Sequence, residues 1–141
     1  MTTILADFKL GVMVSDTVAS DGDRVWPGEK KVYRIRGALF GFAGSVSEAH
    51  RLIAWIKEGA QGHPPKIRDV NLLMLSKDGL FLYDENLSPM LNHTGVEAIG
   101  TGAKAALCAY EAMGFQNPKK AVQIVCKYDN ASRLPVKVYK L

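Results

Sequence analysis

The chain begins Met1-Thr2-Thr3-Ile4, which puts a hydroxyl residue directly behind an initiator methionine. A residue as small as threonine at position two normally allows the methionine to be trimmed. Trimming would leave a free α-amine and a secondary hydroxyl on the same residue. A hydroxyl at its ordinary pKa is a weak nucleophile and needs a base beside it; an N-terminal threonine carries that base on its own backbone. Taken alone, Thr2 is also an ordinary second residue. Its chemistry depends on what the rest of the chain places around it.

The bulk properties narrow the setting. The 141 residues are enough for one domain with a core of its own, and a single domain over 1–141 is expected. An apolar share of 48% and a charged share of 23% fit a water-soluble globular protein. No stretch approaches the ~20 apolar residues of a membrane span, so no membrane partner is expected. The start lacks the basic-then-apolar pattern of a secretory signal, and no pro-segment is expected ahead of Thr2. Cys108 and Cys126 fall in helical patterns without metal-type spacing, so they are expected to be core thiols in a reducing compartment. The localisation that follows is cytoplasmic. The net charge of +4 comes from 18 basic residues scattered along the chain, with no run longer than two. That scatter argues against a nucleic-acid surface, where clustering with interleaved aromatics is the rule.

The elements that must position Thr2 follow from periodicity. Residues 3–6 and 11–15 flank a short polar turn ending in Gly11 and read as a hairpin. Ser20 to Asp23 reads as a loop ahead of residues 25–28. Two strands follow, at 31–35 and 38–43, split at Gly37. The first alternates polar and apolar; the second is apolar throughout, as a strand covered on both faces would be. The period then changes to 3.6. Ser45 and Glu48 have capping-box spacing, and Ala49, Leu52, Ile53 and Ile56 form one stripe of a helix ending near Gly59. In the loop beyond it His63 has no partner in view and is expected to be exposed.

Residues 71–76 and 80–83 make a second hairpin around Lys77-Asp78-Gly79. A short apolar piece at 96–99 leads into Gly100-Thr101-Gly102. Thr101 is expected to cap a helix with Ala106, Ala109, Tyr110 and Met113 on its stripe and Gly114 past its end. Asn117 and Pro118 open another helix bearing Ala121, Val122 and Val125. A last strand covers 135–139. Strand runs, a helix, a hairpin, a helix pair and a strand give the α+β class, with helices layered over sheets.

Several short motifs now fall in one order: Thr2-Thr-Ile, Gly11-Val-Met-Val-Ser-Asp16, Lys30-Lys31-Val32, Gly41-Phe-Ala-Gly44, Ile99-Gly-Thr101-Gly and Asp129-Asn-Ala-Ser132. The set resembles the proteasome-type N-terminal-nucleophile hydrolases, and most of all small bacterial and phage-encoded proteasome-like β-subunit proteins. The resemblance spans nearly the whole chain. It implies a trimmed four-layer α-β-β-α sandwich with two antiparallel sheets face to face.

The resemblance also implies roles. Thr2, freed of Met1, is the expected nucleophile and its α-amine the base. Lys31 is expected to lower the hydroxyl pKa by its charge; Lys30 competes for that place, but the family sets its lysine directly before an apolar strand residue. Asp16 is expected to hold Lys31 charged, and Gly44 to offer its N–H to an oxyanion. Thr101, Asp129 and Ser132 are expected to hold the amine and its water. Three departures stand out: Thr101 where serine is common, Ser45 in place of a second glycine, and Arg133-Leu134 where two glycines are common. No cofactor or metal is expected. The implied activity is a threonine-type amidohydrolase, most plainly a peptidase on peptides or unfolded proteins. The alternative is a non-catalytic proteasome-like structural or assembly subunit. A homo-oligomer, with a ring among its forms, and an ATPase unfoldase of unidentified type are the expected partners.

Overall fold

The computed structural model describes residues 2–21, 23–129 and 132–141. Met1, Gly22, Asn130 and Ala131 lie outside them, and with these the removal of Met1 and the middle of the Asp129–Ser132 motif. Strands β1 (Thr3–Asp7) and β2 (Val12–Asp16) form the expected first hairpin. They sit centrally in an antiparallel sheet flanked by β10 (Val96–Gly100) and β11 (Val136–Lys140), in the order β10-β1-β2-β11. A second antiparallel sheet runs β5 (Val32–Ile35), β6 (Ala38–Gly44), β7 (Val70–Ser76), β8 (Gly79–Tyr83) and β9 (Pro89–Leu91). Helix α1 (Val46–Lys57) covers the second sheet; α2 (Ala103–Ala112) and α3 (Pro118–Tyr128) cover the first.

Strand alternation explains the layers. Along β1, Ile4 and Ala6 enter the space between the sheets with Met13, Val32, Leu39 and Leu73. Leu5 turns the other way, onto Ala106, Tyr110, Val122 and Val125 of the helix pair. Phe42 of β6 packs on Ala49, Leu52 and Ile53 of α1. The four-layer α-β-β-α order is thus present. Each fully buried Leu or Ile in it contributes about 1.5–3 kcal/mol relative to exposure. Gly41 lets Met13 and Ile4 of the facing sheet come close, since a Cβ there would meet Met13 Sδ at 2.9 Å.

Several expectations are corrected. Ser20-Asp21 is not loop but the end of β3 (Val18–Asp21), which pairs with β4 (Arg24–Pro27) in a projecting hairpin. The apolar piece at 96–99 is a full edge strand, and β9 had no sequence signal, being three exposed residues that start at a proline. Thr101 does not cap α2: the cap position is Gly102, without a side-chain bond, because the Thr101 hydroxyl is turned to Asp129. Only half of the Ser45–Glu48 capping box forms, since the Glu48 carboxylate reaches a different segment. Cys108 is exposed on α2 rather than in the core, and Cys126 is half-buried. Cys126 packs partly against the core between the helix pair and the first sheet. Asn117 and Pro118 open α3 as read, and His63 is exposed.

Candidate active site

Thr2 leads into β1 at the rim of the sandwich and is buried, 6% exposed. Its backbone fits against β10 because position 100 is glycine, where a Cβ would lie 1.8 Å from the Thr2 carbonyl oxygen. Thr2 shares the Ile4 side of the chain, between the sheets; Thr3 faces the helices. The Thr3 N–H donates to Asp16 Oδ1 at 2.9 Å. Its hydroxyl lies 2.6 Å from Ser132 Oγ. Gly102 leaves that hydroxyl its room, since a Cβ there would fall 2.1 Å from Thr3 Oγ1.

Asp16 ends β2 opposite Thr3, and Lys31 directly precedes β5 in the facing sheet. Their side chains meet: Lys31 Nζ donates to Asp16 Oδ1 at 3.0 Å, to Asp16 Oδ2 at 2.9 Å, and to the Val18 carbonyl at 2.5 Å. Both groups are buried, 5% and 0% exposed. Burial pulls the Lys31 pKa below its usual 10.5, and the Asp16 charge and hydrogen bonds restore part of the loss. The ammonium that meets Asp16 is that of Lys31; the Lys30 ammonium lies 4.7 Å from the Tyr33 ring centroid.

Gly44 closes β6. The Phe42 N–H donates to the Lys31 carbonyl at 3.0 Å, so even-numbered residues of β6 turn their amides toward β5. Two residues on, β5 has ended, and Gly44 borders the cleft beside Thr2. Ser45 turns the opposite way and gives its N–H to the Asp69 carbonyl at 2.6 Å. A Cβ on Gly44, whose φ is +116°, would lie 2.0 Å from that same oxygen. Glu48, one turn into α1, fixes the partner segment by accepting from Arg68 N and Asp69 N, both at 3.0 Å.

The remaining predicted residues form a relay behind Thr3. Ser132 Oγ donates to Asp129 Oδ2 at 2.8 Å, which leaves its lone pair to accept from the Thr3 hydroxyl. Thr101 Oγ1 donates to the same carboxylate oxygen at 3.2 Å. Hydrogen bonds therefore run without a break from Asp129 through Ser132 and Thr3 to Asp16 and Lys31. Arg133 and Leu134 point outward. Thr2, Gly44 and Thr101 border one cleft of about 840 Å3, and Lys31 joins Thr2 and Gly44 around a narrower recess beside it.

No protein-family model matches the sequence, and no curated protein sequence does. Solved structures do. The chain superposes on BPH of Thiobacillus denitrificans, solved with epoxomicin, with a TM-score of 0.74 at 17% identity over 99% of this chain and 98% of that one. HslV from Trypanosoma brucei gives 0.73 at 23% identity over 99% and 100%. A Gly-1 mutant of Anbu from Hyphomicrobium sp. strain MC1 gives 0.77 at 13% identity over 99% and 82%. The fold is that of the proteasome-type N-terminal-nucleophile hydrolases.

Within that hydrolase fold, the structure gathers all the sequence-predicted residues at one end of the sandwich. Sequence reading missed Thr3, the hub that links Asp16 to Ser132. The signal was available: consecutive hydroxyls at the start of a strand face opposite sides, so one of the pair had to meet the helix layer. It also missed the Val18 carbonyl, for which a backbone atom leaves no sequence signal.

Proposed function

We propose that the protein is a threonine-type amidohydrolase, a peptidase that acts through an ester on Thr2 once Met1 is removed. The observation that carries this reading is the buried Lys31–Asp16 pair held against the same recess as Thr2 and Gly44. A buried lysine and carboxylate are costly to a fold and need a reason to persist. An ammonium beside a hydroxyl supplies one, because its charge favours the alkoxide.

The freed α-amine takes the Thr2 hydroxyl proton, directly or through a water, as Oγ attacks the amide carbon. The carbonyl oxygen becomes an oxyanion aimed at the Gly44 N–H. The ammonium returns its proton to the leaving nitrogen, the C–N bond breaks, and the acyl group remains on Oγ as an ester. A water, deprotonated by the same amine, attacks the ester; the acid leaves and the Thr2 hydroxyl is regenerated. Homo-oligomerisation, and delivery of unfolded chains by an ATPase, belong to the same proposal. Exposed apolar side chains such as Trp26, Met90, Leu91 and Val138 offer contact surface for it.

The test is turnover of a fluorogenic peptide amide by Met1-free protein. Thr2→Ala removes one hydroxyl and is expected to abolish hydrolysis. Equal turnover by Thr2→Ala would overturn the assignment, and a folded, inactive wild type would favour the structural-subunit alternative.

A further inference from the structure

The cleft at Thr2 carries charge of one sign. Among the described residues lining its roughly 840 Å3, the charged ones are Glu29 and Asp69, although the whole chain carries +4. The cations Lys30, Lys31 and His50 line the narrower recess beside it, each with a contact of its own. Lys31 is bound by Asp16 and the Val18 carbonyl. The Lys30 and Lys57 ammoniums lie over the Tyr33 ring, 4.7 and 5.5 Å from its centroid. His50 approaches Glu29 Oε1 to 3.8 Å, beyond hydrogen-bond distance, with its side chain 58% exposed.

Glu29 is placed rather than adrift. Its N–H donates to the Thr17 carbonyl at 2.8 Å, which ties this residue to the strand end beside Asp16. Its carboxylate has no hydrogen bond from another described residue and borders both the cleft and the recess. Ala19, Ala43 and Val46 make small apolar walls next to it. Apolar walls leading to a carboxylate whose nearest cationic partner is a largely exposed His50 at 3.8 Å suit a long aliphatic stem with a cationic head.

Building on Thr2 as the nucleophile, we propose that Glu29 determines specificity and that the site selects peptides with lysine or arginine beside the scissile bond. The Glu29 carboxylate draws in the ammonium or guanidinium, while the apolar walls hold the methylenes.

Three matched fluorogenic peptide amides, with Arg, Leu or Glu preceding the scissile bond, test this on the Met1-free protein. The Arg peptide is expected to exceed Leu in kcat/KM by about tenfold, with Glu lowest. Glu29→Gln should bring Arg to within about twofold of Leu. High salt should narrow the Arg-to-Leu ratio of the wild type, an arm that needs no variant. Equal Arg and Leu turnover, a preference for Leu or Glu, or a ratio indifferent to salt would each overturn the proposal while leaving Thr2 catalysis standing. Failure to cleave all three peptides, with no labelling by an epoxyketone, would overturn the Thr2 reading and this inference together.

Discussion

Lys31 sits where burial and a carboxylate pull in opposite directions. Burial disfavours the ammonium and is the larger effect; Asp16 favours it and offsets part. The net pKa lies below 10.5, so the charge is lost at lower pH than in a free lysine. Activity that needs the ammonium should therefore fall along an alkaline limb of the kcat/KM profile centred below 10.5, and a limb at or above that value would contradict the role. The pair is also a stability element. Asp16→Asn leaves a buried cation without its counter-charge and should cost about 3–5 kcal/mol in urea denaturation. The double variant Asp16→Asn with Lys31→Met should recover part of that loss, as a double-mutant cycle would measure.

Between β6 and α1, the backbone turn that aims the Gly44 N–H depends on a segment far along the chain. Asp69 supplies the carbonyl that takes the Ser45 N–H, and Glu48 holds the Arg68 and Asp69 amides. Glu48→Ala should therefore lower kcat more than it raises KM, with Glu48→Gln recovering part through its remaining amide oxygen. An equal effect of both variants on stability alone, with kcat intact, would make Glu48 merely structural. Helix flanks yield a further expectation. The Cys126 thiol is pushed up to about 11 by burial and by the Asp16 and Asp129 charges, whereas Cys108 is exposed. Maleimide at neutral pH should modify Cys108 rapidly and Cys126 slowly, read by peptide mapping. Sequence reading recovered the elements whose period was strong: the first hairpin, β6, and the buried stripes of α1 and α3. It failed where tertiary contacts overrode local grammar. Glu48 has capping-box spacing but bonds the 68–69 backbone, and Thr101 stands at a cap position but serves Asp129. The candidate residues could be named because the motifs that carry them resemble those of one family, and the fold brings them to one rim. Thr3 was not, because its role depends on which layer a strand face meets.

Across the whole molecule, two sheets and their helices converge on one rim where β1 begins, β2 ends and β6 turns into α1. No single element contains the site: Thr2 and Asp16 come from one sheet, Lys31 and Gly44 from the other. Sandwich packing is thus what brings the candidate residues together, and Gly41 leaves room between the sheets for Met13 and Ile4. Apolar side chains left outside, Val25 and Trp26 on the projecting hairpin and Leu134 and Val138 by the edge strand, are expected to be covered by further copies. Light scattering should then give a mass that is a multiple of 15.4 kDa, and a monomer at all concentrations would contradict this. The most direct measurement is the intact mass of this protein before and after a peptide epoxyketone, which reacts with an N-terminal threonine. The Met1-free species should gain one inhibitor mass and Thr2→Ala none. A folded, Met1-free wild type without an adduct, or an equal adduct on Thr2→Ala, would contradict Thr2 as the nucleophile.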